Sequence, residues 1–186
     1  MELLFDKIKN PVIETERLII NDVTPDDKME YYALYTDDKL NKYWGYDYHE
    51  DLPENKEPSP DYFYGFMTSL KNKKEEYSLA IRLKNENSIK NNSDYPYNKM
   101  IGEGVFHNFN KNEEVEIGIR LFKKYQGFGF ATEAVKAMIE YIKKFKPSVI
   151  KAKCFLQNTA SKNTLLRSGF NNTGSDDTYL YFEIML

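Results

Sequence analysis

The chain has 186 residues, enough to bury one core, with 26 basic and 29 acidic side chains and a net charge of −3. Interspersed signs exclude the basic footprint of a nucleic-acid binder, and no apolar run is long enough to span a membrane. A single cysteine excludes an intramolecular disulfide framework, and acids and bases within the first seven residues leave no signal-peptide core, so a cytoplasmic protein is expected.

In chain order, Val12 to Ile20 reads as a strand. Pro25 to Tyr35 reads as a helix, with Thr24 as N-cap and Pro25 at its first position. A short helical piece follows Asp37, and Trp44 to Pro58 shows no periodicity and many breakers. Ser59 caps a helix from Pro60 to Lys71. Glu76 to Leu83 alternates, with Tyr77, Leu79, Ile81 and Leu83 on one face. Lys84 to Lys99 is rich in Asn and Lys and too polar to pack, which predicts a flexible hairpin tip. Met100 to His107 and Val115 to Leu121 read as strands. Next comes a helix whose buried face carries Ala131, Ala134, Val135, Met138, Ile139 and Ile142, with Glu140 to Lys144 as an i,i+4 pair. A strand at Val149–Phe155 places Cys154 in the core. A helix from Thr159 to Ser168 and a hairpin ending in Tyr179–Met185 complete a single domain over residues 1–186.

The most informative stretch is Gln126-Gly127-Phe128-Gly129-Phe130-Ala131, which opens into the long helix. Uncovered amides at a helix N-terminus, together with its dipole, suit a phosphate. A P-loop would need Gly-Lys-[Ser/Thr], whereas Phe130-Ala131 follows Gly129. A dinucleotide fingerprint would want Gly or Ala at Thr132 and an acid about 20 residues on, and no Asp or Glu lies between Glu140 and Asp176. The pattern [Arg/Gln]-x-x-Gly-x-[Gly/Ala] is satisfied by Gln126, Gly129 and Ala131. An ordinary glycine loop before a helix is the alternative.

That pattern resembles the pyrophosphate loop of the GNAT acetyltransferase superfamily, whose acetyl donor is acetyl-coenzyme A. Thr15-Glu16-Arg17-Leu18, Glu116-Ile117-Gly118, Asn158-Thr159-Ala160-Ser161 and Ser168-Gly169-Phe170 extend the resemblance over nearly the whole chain. The first and third of these look most like the branch that acetylates ribosomal-protein N-termini. The resemblance implies an α+β fold, an α/β/α sandwich with a mixed sheet of about seven strands and four main helices. Its fourth and fifth strands would splay apart, the fourth being bulged, with coenzyme A in the gap.

Carried over residue by residue, the resemblance assigns the backbone of Ile119, Arg120 and Leu121 to the pantetheine arm. It assigns the loop Gln126, Gly127, Phe128, Gly129, Phe130, Ala131 and Thr132 to the pyrophosphate. Asn158 would hydrogen-bond the pantetheine, and Ser161 would lie near the thioester sulfur. Asn158 as a plain helix cap and Ser161 as a surface residue are the alternatives. The family's usual acid, a tyrosine, aligns with Leu165 and is absent, leaving Ser161, through water or directly, for that role. Glu116 is the candidate base. Val115, Ile117, Ile119 and Leu121 share one strand face, so Glu116, Gly118 and Arg120 share the other, towards the acceptor. A solvated face with Glu116 near Arg120 is the alternative.

The stretch from Tyr43 to Asp51 comes where this family builds one acceptor wall. Trp44 and Tyr46, with acids extending to Glu54, Glu57 and Asp61, would attract a protonated amine; a loop pinned to the core by Trp44 is the alternative. His49 and His107 lack ligand-like spacing, so no metal is expected. The expected reaction is direct acetyl transfer to a protein or peptide α-amine. A small amine is a second possibility, and a non-catalytic acetyl-coenzyme A-binding domain is a third. A monomer or homodimer is expected.

Overall fold

A computed structural model of the chain describes residues 3–52, 57–84 and 98–186. Alternating apolar residues build one eight-stranded sheet from β1 (Val12–Glu14), β2 (Leu18–Asp22), β3 (Glu76–Leu83), β4 (Met100–His107), β5 (Glu114–Leu121), β6 (Val149–Phe155), β7 (Asn171–Ser175) and β8 (Tyr179–Met185). The spatial order is β1-β2-β3-β4-β5-β6-β8-β7, and only β5 and β6 run parallel. The sheet has one strand more than expected because Val12–Ile20 is a hairpin, with Thr15 N–H donating to Leu18 C=O at 3.0 Å. The expected splayed fourth and fifth strands are therefore β5 and β6.

The helices are α1 (Leu4–Lys7), α2 (Lys28–Tyr35), α3 (Asp38–Asn41), α4 (Tyr48–Asp51), α5 (Pro60–Asn72), α6 (Phe130–Lys143) and α7 (Thr159–Arg167) among the described residues. Four of them, α2, α5, α6 and α7, exceed one or two turns. A 3₁₀ turn at Pro25–Asp27 precedes α2, with Thr24 and Asp27 in a reciprocal capping box. Ser59 accepts the Tyr62 N–H at 3.2 Å and starts α5 as expected. On α6 the ion pair forms between Glu140 and Lys143, at 2.8 Å, in place of the expected Lys144. Lys144 is already the C-cap, beyond the last helical turn. The expected flexible tip falls on residues 85–97, outside the described residues.

The sheet has two unlike faces. On one, α6 and α7 cover Val115, Ile117, Leu121, Ile150, Ala152 and Cys154, with Phe130, Val135 and Met138 fully buried. On the other, α2 and α5 cover Ala80 and Met100 with a cluster of Tyr31, Leu34, Tyr35, Phe63 and Met67. Both faces of β3 are therefore buried from Tyr77 to Leu83, where alternation predicted only one.

Candidate active site

The parallel ladder between β5 and β6 joins only Glu114–Glu116 to Val149–Lys151, although β5 continues to Leu121 and β6 to Phe155. Beyond Glu116 each strand follows a different partner: β4 holds β5 through Leu121, and β8 holds β6 through Phe155. A gap opens between them. The β4–β5 register is unbroken, so the strand separates without the expected bulge; the register shift lies between β3 and β4 at Ile81/Arg82.

Phe122 N–H donates to Ile101 C=O at 3.0 Å. Counting back along an antiparallel ladder, the amide and carbonyl of Arg120 turn to β4, and those of Ile119 and Leu121 turn to the gap. Arg120 thus presents its side chain to the site, not its backbone. The Leu121 carbonyl is already engaged, accepting from Gln126 Nε2 at 2.9 Å. Gln126 braces the glycine loop against the end of β5.

Gly127 and Gly129 take φ of 87° and 82°, a left-handed conformation that suits glycine. The first bond of α6 runs from Glu133 N–H to Gly129 C=O at 3.1 Å, so the amides of Phe130, Ala131 and Thr132 have no carbonyl in their own helix. Phe130 is buried and anchors the helix, while Phe128 is exposed. Arg17 clamps the loop: Nη1 donates to the Phe128 carbonyl at 2.9 Å and Nε to Glu133 Oε2 at 2.7 Å. Thr15 Oγ1 reaches Glu133 Oε1 at 2.5 Å. Against the cost of burial, these Thr15 and Arg17 hydrogen bonds hold the Glu133 carboxyl below its usual range. A cavity of about 510 Å³ opens beside Gly129 and Thr132, with Lys136 and Arg167 on its wall together with Glu16 and the Glu133 carboxylate that Arg17 pairs. This surface can hold a diphosphate by amide donation and positive charge.

Asn158 caps α7, its Oδ1 accepting the Ser161 N–H at 3.1 Å. Burial pushes the Cys154 thiol up, partly offset by the neighbouring Ser161 hydroxyl. Leu165 is in the core, so no hydroxyl acid stands at that position.

On the opposite sheet face, Glu116 is largely covered. Asn108 Nδ2 donates to its Oε2 at 2.7 Å, and His107 Nε2 lies 3.7 Å from its Oε1. Burial pushes the His107 imidazole down, opposed by Glu116 and assisted by the positive charge of Lys153. Gly118 lies under Trp44: a Cβ there would sit 2.9 Å from the indole and 2.8 Å from Val105. Trp44 also covers the Arg120 guanidinium, 4.7 Å from its ring centre, with Tyr35 at 4.4 Å. Arg120 donates to Glu103 Oε2 at 2.9 Å and to Asn41 Oδ1 at 2.6 Å. Tyr46 packs edge-on to Tyr35 at 4.9 Å. Tyr43 meets Phe155 at 6.1 Å, and Phe155 meets Tyr179 at 4.6 Å. The Tyr43–Tyr46 loop therefore touches both sides of the gap. It is pinned to the core and is a wall of the site at once.

Glu116, Trp44 and Tyr46 thus share one sheet face, while the glycine loop, Asn158 and Ser161 gather at the other. Glu57 precedes α5 and Asp61 lies in its first turn, where it pairs with Lys28 at 2.5 Å; Glu54 lies outside the described residues. The sequence reading missed Glu103, Asn41 and His107 as neighbours of the site. The signal for His107 was its place at the end of a strand that pairs with Glu116. Among the described residues, no three His, Cys, Asp or Glu side chains group to hold a metal ion, and no helix is long and apolar enough to cross a membrane.

Known proteins share this fold. A curated relative, the uncharacterized N-acetyltransferase YoaA of Bacillus subtilis strain 168, is 25% identical over 173 residues, covering 92% of this chain and 89% of its own. The GNAT-family acetyltransferase structure from Bacillus anthracis superposes with a TM-score of 0.71 at 22% identity, covering 94% of this chain and 98% of that one. The coenzyme A complex of RimL, a ribosomal L7/L12 α-N-protein acetyltransferase, gives 0.69 at 15% identity, covering 95% and 98%. Residues 17–171 match the family described as the acetyltransferase (GNAT) domain, and the chain belongs to that family of N-acetyltransferases.

Proposed function

We propose that this protein moves an acetyl group from acetyl-coenzyme A to the α-amino group of a protein or peptide. One observation carries the reading: the gap between β5 and β6 separates a donor-side amide surface from an acceptor-side carboxylate. The amides of Gly127 to Thr132 hold the pyrophosphate. The gap-facing backbone of Ile119 and the amide of Leu121 pair with the pantetheine, which Asn158 meets through the amide nitrogen that its cap does not use. Bound there, the donor supplies an activated acetyl thioester. Glu116 receives the acceptor's proton from the opposite face, with Trp44 and Tyr46 beside it. Ser161 supports the departing sulfur.

An α-amine favours this arrangement. Its pKa of about 7.7–8.0 leaves a usable neutral fraction at pH 7, whereas a lysine at about 10.4 costs roughly 4–5 kcal/mol to deprotonate. The structural likeness to RimL, together with Thr15-Glu16-Arg17-Leu18 and Asn158-x-x-Ser161, supports a protein N-terminus. The test is a competition of N-terminal peptides against polyamines and amino sugars at limiting acetyl-coenzyme A, read by mass spectrometry. Acetyl on peptide α-amines is the expected result. Exclusive acetylation of small amines would replace the acceptor class and leave the donor side intact.

A further inference from the structure

Five strands bring titratable side chains into one row on the acceptor face: Glu76, His107, Glu116, Lys151 and Glu183 are successive cross-strand partners. Partners directly opposite in a ladder project to the same side. Within the row, Glu116 has its two oxygens divided. Asn108 holds Oε2 at 2.7 Å, and His107 Nε2 faces Oε1 from 3.7 Å. The His107 side chain is 25% exposed and that of Glu116 13%, so the pair is sheltered but not sealed. Lys151 is drawn away by Glu114 at 2.7 Å.

We propose that His107 is the positioning residue for Glu116, fixing its carboxylate towards the acceptor amine and receiving the proton that Glu116 collects. This rests on the acetyl-transfer reading above. In the step, the bound ammonium gives one proton to Glu116, which passes it through one bridging water to His107 Nε2, 3.7 Å away, and on to solvent. The freed nitrogen lone pair forms the C–N bond as the C–S bond breaks, with its electron pair staying on sulfur. The nitrogen's second proton goes to that thiolate.

Imidazole suits the task. At about 6.5 its ordinary value lies closer to an α-ammonium at about 7.7–8.0 than that of a carboxylate does. Burial holds His107 neutral and ready to accept. Beside burial, the charges that act on it are Glu116 from β5 and Lys153 from β6, and Glu76 is its cross-strand partner on β3.

Two measurements test the pair. The chain has only two histidines, so the imidazole nitrogens of His107 are resolved by NMR once His49 is assigned with His49→Gln. Glu116→Gln removes the charge that favours the imidazolium, and the His107 midpoint falls. An unmoved midpoint overturns the coupling. In kinetics, His107→Gln lowers kcat about tenfold to a hundredfold and moves its acid limb to lower pH, with KM for acetyl-coenzyme A unchanged. A variant with the wild-type kcat and pH profile overturns the proposal and leaves the acetyl-transfer reading standing. A wild-type protein that acetylates no amine overturns both.

Discussion

At the scale of single residues, the site depends on two glycines with different physical roles. Gly129 is needed for its backbone: at φ 82° a branched side chain costs about 1–2 kcal/mol and projects beside the donor surface. Gly129→Val is expected to stay folded and lose at least tenfold in acetyl-coenzyme A affinity by calorimetry. Gly118 is needed for its missing side chain, because Trp44 and Val105 fill the space a Cβ would take. Gly118→Val should raise the acceptor KM while leaving acetyl-coenzyme A binding unchanged, measured on the best acceptor peptide. The requirement at Gly129 was readable from the loop pattern in one dimension. That at Gly118 was not, because Trp44 is far away in sequence. Asn158 illustrates a partial reading, since its cap uses only Oδ1 and both sequence alternatives can hold together.

At the scale of elements, the acceptor face is organised by buried polar contacts that alternation alone does not reveal. Glu103 and Arg120 face each other across β4 and β5, both nearly inaccessible, and α2 adds Tyr31, which donates to Glu103. The sequence alternative set Arg120 near Glu116, and its pairing with Glu103 needed the strand register. Arg120→Met leaves Glu103 buried and uncompensated, which should cost about 3–5 kcal/mol in urea denaturation. Glu103→Leu added to it should recover part of that loss. Burial, with the charge of Glu103 adding, pushes the Glu76 carboxyl up to about 7 from 4.5. The folded state therefore holds this proton more tightly than the unfolded chain. Its stabilisation is full below pH 4.5 and is lost as pH rises through about 7. Glu76→Gln should match wild type near pH 4 and be more stable at pH 8, by up to about 3 kcal/mol. Equal stability at both pH values would contradict the assignment. The strands and long helices themselves were legible because their apolar periods are regular. The first hairpin was not, since its tight turn interrupts an otherwise continuous run from Val12 to Ile20.

At the scale of the whole molecule, two independent ladders hold β5 and β6 apart, so the gap is a property of topology and not of any one contact. A ligand filling it ties the two ladders together and stabilises the folded state. At about 100 times its dissociation constant, acetyl-coenzyme A should add roughly 2.7 kcal/mol, seen as a rise in Tm that NADH and ATP do not produce. The most direct measurement of the central claim compares wild type with Glu116→Gln for both acetyl-coenzyme A binding and transfer to an α-amine peptide. Equal binding and a loss of turnover of about a hundredfold or more in the variant are expected. Equal turnover would contradict the role of Glu116, and binding without turnover in the wild type would make the domain an acetyl-coenzyme A binder rather than an enzyme acting on such amines.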